Sequence, residues 1–184
     1  AGIDRRFDGG VLFGVTAGYT AANQYTQAMP GTGSANTVQL GFYGEYGVGN
    51  FYLDALAGYA HSSSQMTRPI SLLGLAQRTA IGKTTTEQFF GQFEAGYKIA
   101  LEGPLDRFVT PFARLQGSTA SQAGFTESGA DSLDLTVAGQ TTNSLRTVLG
   151  AQAGASFDLG WRNQLGLALR LGWSLETVSL EYLP

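Results

Sequence analysis

Apolar and polar positions alternate along much of this chain. In the stretch FYLDALAGYAH, residues 51–61, the odd positions from Phe51 to Tyr59 are all apolar, whereas the even positions are mixed and include Asp54. Successive side chains of a β-strand point to opposite faces of the sheet. The stretch therefore predicts a strand with one apolar face that ends in aromatic residues and one face that carries a carboxylate.

The same alternation recurs along the chain and predicts seven strands of one kind. They are GVLFGVTAGYT (10–20), VQLGFYGEYG (38–47), FYLDALAGYAH (51–61), QFFGQFEAGYK (88–98), VTPFARLQG (109–117), SLRTVLGAQAGASF (144–157) and NQLGLALRLGW (163–173). A further alternation at Val178, Leu180 and Tyr182 follows Trp173 without a turn. We interpret it as a continuation of the seventh strand rather than as an eighth strand.

The connections between these strands are alternately long and short. The long ones are predicted at 21–36, 62–86 and 118–143, and the short ones are GVGN (47–50), LEGPLDR (101–107) and DLGWR (158–162). In GVGN, pairing of Gly47 with Asn50 would place Tyr46 opposite Phe51. A meander whose two ends differ in this way is typical of outer-membrane barrels, which have short periplasmic turns and long outer loops. Protease added to intact cells should then cut within 118–143.

Two environments can explain a sheet with one apolar and one polar face. In a soluble sandwich or small barrel the polar face meets water and should be rich in Lys, Glu and Asp. Charged residues are only 14% of this chain, against about 25% in soluble domains. Phe51 and Tyr59 would lie about 26 Å apart along a strand. A tilt of about 40° reduces this to roughly 20 Å, close to the lipid-facing band of outer-membrane barrels. The predicted fold class is all-β, an antiparallel up-and-down transmembrane β-barrel, with about seven strands visible of a larger barrel.

Composition limits the chemistry that the chain can perform. The absence of cysteine excludes a disulfide, a thiolate metal site and a cysteine nucleophile. The net charge of −3 argues against a nucleic-acid partner. The single histidine, His61, adjoins Ser62, Ser63 and Ser64 without an orienting acid, so a solvated loop histidine is the simpler interpretation. Glu127 and Asp131 could bind a cation, but surface loops often carry such pairs. We expect no catalytic, metal or cofactor site.

The polar face of the predicted barrel would line its interior. The predicted lumen-lining residues are Gln39, Tyr43, Glu45, Asp54, Gln92, Glu94, Lys98, Arg114, Arg146, Gln152 and Arg170. Their acids lie on the second to fourth strands and their arginines on the fifth to seventh, with Lys98 as the exception. These charges would pair with each other or would hold a helix or a passing chain, and both alternatives stay open.

Glycine is concentrated on the same polar face. The residues are Gly14, Gly18, Gly41, Gly47, Gly58, Gly96, Gly150, Gly154, Gly166 and Gly172. Small inward residues leave room, so one hypothesis is that the lumen is kept clear for a polypeptide. The alternative is that glycine merely permits the curvature of a barrel.

Several stretches together resemble autotransporter β-domains, the translocator barrels of type V secretion. AGIDRRFDGGVLFGVTAGYT resembles the family's G-x-D segment and the G-x-x-x-G-Y strand that follows it, and NFYLDALAGYAH and FEAGYKI resemble two later strands. VTPFARLQG, AGFTESGADSLDLTV and SLRTVLGAQAG resemble the next part of the family pattern, in the same order. Each piece is weak, but the ordered series covers nearly the whole chain.

The resemblance implies a twelve-stranded barrel of a Gram-negative outer membrane that anchors and helps to export an N-terminal passenger. The implied partners are outer-membrane lipid, the passenger polypeptide with its pore helix, and the barrel-assembly machinery. The family's opening strands, pore helix and terminal aromatic strand are not recognisable, so residues 1–184 are predicted to be one barrel domain that is incomplete at both ends. The start also lacks signal-peptide features, which fits a processed chain or an excerpt. The alternative is a complete small outer-membrane barrel that acts as an adhesin or a stability element, and an outer-membrane enzyme ranks third.

Overall fold

The structure is a computed structural model that describes residues 1–26, 31–74, 76–102, 106–158 and 164–182. Its described part is built almost entirely from β-strands, as the alternation predicts. The strands are β1 (Gly2–Phe7), β2 (Val11–Thr26), β3 (Gly31–Val48), β4 (Phe51–Ile70), β5 (Arg78–Tyr97), β6 (Ile99–Leu101), β7 (Asp106–Gln122), β8 (Phe125–Thr126), β9 (Thr136–Val137), β10 (Gln140–Asp158) and β11 (Gln164–Tyr182). A single turn of 3-10 helix at Asp131–Leu133 lies between β8 and β9.

The long strands form one antiparallel sheet in which chain neighbours are sheet neighbours. The order is β1-β2-β3-β4-β5-β7-β10-β11, with β6 continuing the line of β5 along β7, and β8 and β9 form a separate small hairpin. This up-and-down order confirms the predicted fold class. Within the described residues β1 pairs only with β2 and β11 pairs only with β10, so the described sheet is open.

Two features of the strands differ from the sequence prediction. Residues 2–7 form β1, which pairs with the first half of β2 through a turn at Asp8-Gly9-Gly10. Six residues with three charges are too few to give a clear alternation, so the sequence pattern does not predict this strand. The strands also extend far into the predicted long connections, because β4 runs to Ile70 and β5 begins at Arg78. These extensions are rich in Ser and Thr on both faces, so they lack an apolar stripe while their backbones still pair.

The predicted register of the GVGN turn is wrong by two residues. Val48 lies opposite Phe51 and Tyr46 lies opposite Leu53, so the two-residue loop is Gly49-Asn50. Gly49 has φ 58°, and a hairpin turn with glycine at its first central position needs this left-handed conformation. A shift of two residues leaves every side chain on its predicted face, but it places Glu45 directly opposite Asp54.

The apolar face of the sheet is exposed to the surroundings. On β11 the apolar side chains at odd positions from Leu165 to Leu175 are 44–67% exposed. Few large side chains of the described residues are buried anywhere, and Phe112 is one of them at 7% exposure. No helix among the described residues is long and apolar enough to cross a membrane. The sheet therefore lacks the buried apolar core of a soluble sandwich.

The apolar band crosses the sheet diagonally. Val15, at the centre of the apolar set of β2, lies in one cross-strand row with Thr177 of β11, six strands away. The apolar set of β11 is centred near residue 170, seven residues before Thr177. The centre of the apolar band is thus displaced by about 23 Å along the strand direction between β2 and β11, which are about 29 Å apart across the sheet. If the band is level with the lipid, the strands tilt by about 39°, within the range of about 35–45° of outer-membrane barrels.

Candidate functional site: a charged cluster on the polar face

All the predicted lumen-lining residues project from one face of the sheet. They occupy odd positions of β3 and even positions of β4, β5, β7, β10 and β11, and the cross-strand registers place these positions on the same side. Lys98 lies just beyond the end of β5, where its backbone N–H donates to the carbonyl of Asn50. We refer to this side as the polar face.

Glu94 is the centre of a hydrogen-bonded cluster on this face. Its side chain is only 3% exposed. The Arg114 Nε donates to Glu94 Oε2 at 2.5 Å, and an Arg170 Nη donates to the same oxygen at 2.6 Å. The Tyr52 hydroxyl donates to Glu94 Oε1 at 2.7 Å. A buried carboxylate needs such donors to offset its lost hydration, and Glu94 has three of them.

Arg170 reaches Glu94 across the strands that lie between them. It projects from β11, whereas Glu94 projects from β5, and β7 and β10 separate the two strands. Its guanidinium lies over the Phe112 ring, with the central carbon 3.7 Å from the ring centroid. The cluster thus ties four strands of the sheet together on one face.

Three acids of the polar face stand side by side. Glu45, Asp54 and Glu94 lie directly opposite one another in a single row, which continues to Arg114. Glu94 has both arginines, whereas the nearest cation to Glu45 is Arg6 at 3.9 Å. The three acids thus form one row that lies directly beside Arg114.

The other predicted residues make local contacts. The Gln116 amide donates to the Gln92 carbonyl at 2.7 Å, and Arg146 pairs with Glu176 at 2.5 Å. The remaining contacts are the Tyr43 hydroxyl to Asp4 at 2.8 Å, Lys98 over the Phe108 ring at 4.7 Å, and the Gln39 side chain beside Gly18. Gln152 lies between Thr110 and Arg170 in its row. The alternation already assigns Tyr52 and Gln116 to this face, whereas Asp4, Phe112 and Glu176 were not predicted there. These three also stand at even positions, so strand parity could have found them.

Most glycines of the polar face are covered by a side chain of the neighbouring strand. At five of these glycines an added Cβ would overlap an aromatic ring. The pairs are Gly14 with Tyr43, Gly58 with Phe90, Gly96 with Tyr52, Gly150 with Phe112, and Gly154 with Phe108. Gly18 is covered by Gln39, whereas a Cβ at Gly47 or Gly166 would meet nothing. These glycines make room for the rings of the neighbouring strand, and the hypothesis that the lumen is kept clear stays a prediction.

Glu127 and Asp131 belong to a folded connection at the far end of the sheet. The Arg68 guanidinium donates to both carboxylate oxygens of Glu127 and to the Leu133 carbonyl. Arg78 lies 3.3 Å from the carboxylate of Asp131. The hydrogen bond from Arg68 holds the pKa of Glu127 below its usual value. The two acids thus hold the connection 123–139 against β4 and β5. No cluster of metal ligands occurs among the described residues.

His61 lies within β4, not where a strand meets a loop. It is partly buried and stands in one row with Val38 and Glu87, on the outward face just beyond Tyr59. The strand continues for nine residues after it. The interpretation of His61 as a solvated loop histidine is therefore wrong in its placement.

Comparison with known proteins identifies the family of this sheet. The family model described as Autotransporter beta-domain matches residues 1–179. The chain belongs to the autotransporter β-domain family. Its sheet is similar to the crystal structure of the β-domain of the Bordetella autotransporter Brka, with a TM-score of 0.64 and 26% identity over 97% of this chain and 69% of that chain.

Two curated relatives are named Outer membrane protein A. The protein of Rickettsia rickettsii is 31% identical over 137 residues, and that of Rickettsia conorii is 29% identical over the same length. The matches cover 70% of this chain but only 6% and 7% of those proteins. These findings confirm an outer-membrane translocator domain of an autotransporter, located in the outer membrane of a Gram-negative bacterium. The family is a transport and structural one, whereas the absence of catalysis stays a prediction.

Proposed function

We propose that the polar face of this autotransporter β-domain lines a lumen through which, or beside which, an N-terminal passenger crosses the outer membrane. The observation that carries the proposal is the diagonal apolar band. It orients the outward side chains toward lipid along the whole sheet. The row that holds Glu45, Asp54, Glu94 and Arg114 then points to the interior.

The interior of the barrel would be filled with water and lined by the charged side chains of the polar face. An open edge cannot face lipid, because each unpaired backbone group there costs several kcal/mol. We therefore propose that segments outside residues 1–184 complete the barrel, as the sequence analysis predicts. The barrel-assembly machinery and a pore helix are partners by family resemblance, and passenger export is the activity proposed for the whole protein.

Cysteine labelling in whole cells tests this proposal. The chain has no cysteine, so single cysteines can be placed at Gln92 and Arg146 on the polar face and at Leu169 on the outward face. A small membrane-impermeant maleimide should react at Gln92 and Arg146 through the lumen and leave Leu169 unlabelled. Labelling of Leu169 together with protection of both polar-face positions would contradict the proposal.

A further inference from the structure

The two faces of β11 exchange their polarity at its outer end. From Leu165 to Leu175 the odd, outward positions are apolar, and beyond them the odd positions are Thr177, Ser179 and Glu181. The even positions, which carry Arg170 and Glu176 on the polar face, become Val178, Leu180 and Tyr182. The strand pairs with β10 without a bulge throughout, so this exchange is real and not a slip of register.

We infer that Val178, Leu180 and Tyr182 form an apolar stripe that contacts the exported polypeptide as it leaves the barrel. The three side chains are 60%, 49% and 70% exposed. Their direct cross-strand neighbours are Ser144, Thr142 and Gln140, so β10 does not cover them with apolar groups. The inference rests on the proposed function, because it takes the polar face as the interior.

Lipid is a poor occupant of this stripe. The apolar outward set of β11 ends at Leu175, so the stripe lies beyond the lipid-facing band and on the opposite face of the strand. Whatever covers it must lie in or above the mouth of the barrel. The relatives of this chain are long proteins of which the matched part is 6–7%, so most of such a polypeptide is available to pass this point.

The spacing of the stripe suits an extended chain. Alternate side chains of a strand are about 6.6 Å apart on one face, so the stripe spans about 13 Å. An unfolded segment in extended conformation presents its own alternate side chains at the same spacing. The apolar side chains of such a segment would leave water transiently against the stripe, without a specific sequence being required.

Photo-crosslinking in the full-length protein tests the inference. A photoreactive phenylalanine analogue replaces Leu180, and in a matched control it replaces Ser179, the adjacent residue on the outward face. A protease site engineered ahead of Ala1 separates passenger from β-domain after irradiation of pulse-labelled cells. Position 180 should keep a fraction of the passenger joined to the β-domain after cleavage, and position 179 should not. Adducts from position 180 only within the β-domain or to lipopolysaccharide, or equal passenger adducts from both positions, would overturn the inference.

The rate of export gives a second, independent readout. In the double variant Val178→Ser/Leu180→Ser the passenger should appear on the cell surface several-fold more slowly, whereas Thr177→Ser should leave the rate unchanged. Unchanged export in a folded double variant would overturn the inference. If the double variant fails to assemble, the crosslinking experiment decides instead. A wild-type passenger that never reaches the surface would instead refute the proposed function, and the inference with it.

Discussion

Glu94 is the centre of the charged cluster on the polar face. It accepts hydrogen bonds from Tyr52, Arg114 and Arg170 while it is almost fully buried. Its neighbours in the row, Glu45 and Asp54, have the same chemistry without the same donors. Glu94 thus acts as a structural centre, whereas Glu45 and Asp54 have fewer partners among the described residues.

Glu94→Gln should lower the free energy of unfolding by about 2 kcal/mol, because two guanidinium groups lose their anion. We expect less than the roughly 3–5 kcal/mol of a fully buried pair, since Arg114 and Arg170 are 28% and 38% exposed. Urea unfolding in detergent micelles measures the loss. The control is Glu45→Gln, whose exposed pair should be worth about 0–1 kcal/mol. Equal effects of the two changes would contradict the central role of Glu94.

Gly96→Ala should destabilise the sheet because its Cβ would overlap the Tyr52 ring. The ring must leave its place and give up the hydrogen bond to Glu94, which costs roughly 1–3 kcal/mol. Gly47→Ala is the control, since a Cβ there would meet nothing within 4 Å. In a Tyr52→Phe background the extra cost of Gly96→Ala should shrink, because that hydrogen bond is already lost. A full effect in both backgrounds would show that the overlap with the ring, and not the lost hydrogen bond, sets the cost.

At the scale of the element, β11 and the connection 123–139 depart most from a uniform barrel strand. β11 exchanges the polarity of its faces, and the connection folds into a small hairpin fastened to β4 and β5. Ser128 forms an isolated bridge with Ile81, and Phe125 lies over Gly82. The outer end of β11 and this connection lie beyond the lipid-facing band, where lipid no longer dictates which face is apolar.

Leu169→Arg should destabilise the protein by about 2–4 kcal/mol in a bilayer, because Leu169 projects into lipid near the middle of the β11 apolar set. Ala168→Arg, on the adjacent polar-face position, should mainly crowd the lumen. Unfolding from lipid vesicles compares the two variants. A larger loss at Ala168 than at Leu169 would reverse the assignment of the faces.

The connection 123–139 should loosen in acid. The folded-state pKa of Glu127 lies below its unfolded value of about 4.3, because the ionised carboxylate accepts hydrogen bonds from Arg68. Its stabilising effect is therefore complete above that pH and is lost as the pH falls through the folded pKa. Amide hydrogen exchange of residues 123–139, corrected for intrinsic rates, should rise below about pH 4. Glu127→Gln should exchange faster at neutral pH and lose this pH dependence; identical behaviour of the variant would contradict the role of the ion pair.

At the scale of the whole molecule, the open sheet raises the question of closure. β1 and β11 are the two edges of the sheet in the described residues. With the apolar band level with the lipid, the strands tilt by about 39°, as in the wall of a barrel. A barrel wall exposed to lipid cannot end in an unpaired strand. Closure by further strands stays a prediction.

Cysteine crosslinking in the full-length protein can test closure. Cysteine at Ile3 is combined in turn with cysteine at Leu167, Leu169 and Leu171, in a chain without native cysteine. A short bifunctional maleimide should not join β1 to β11 if other strands lie between them. The positive control is the directly opposed pair Tyr46 and Leu53. An efficient β1–β11 crosslink would mean that these strands close a small barrel themselves.

The sequence by itself determined the faces of the strands. A period of two and a low charge content leave little choice about which side meets lipid, so the seven long strands, their order and the polar-face residues could all be predicted. The ordered family motifs added the outer-membrane setting. The strand β1 and the strand extensions could not be predicted, because polar residues on both faces give no periodic signal while backbone pairing continues.

Only the tertiary structure decided which residues of the polar face meet. Parity assigns a face but not a partner, so the register of the Gly49-Asn50 turn and the reach of Arg170 across β7 and β10 to Glu94 had to be observed. The same holds for the rings that cover the glycines, since the packing depends on cross-strand neighbours far apart in the chain. Local alternation is encoded residue by residue, whereas these contacts arise from the summed registers of several strand pairs.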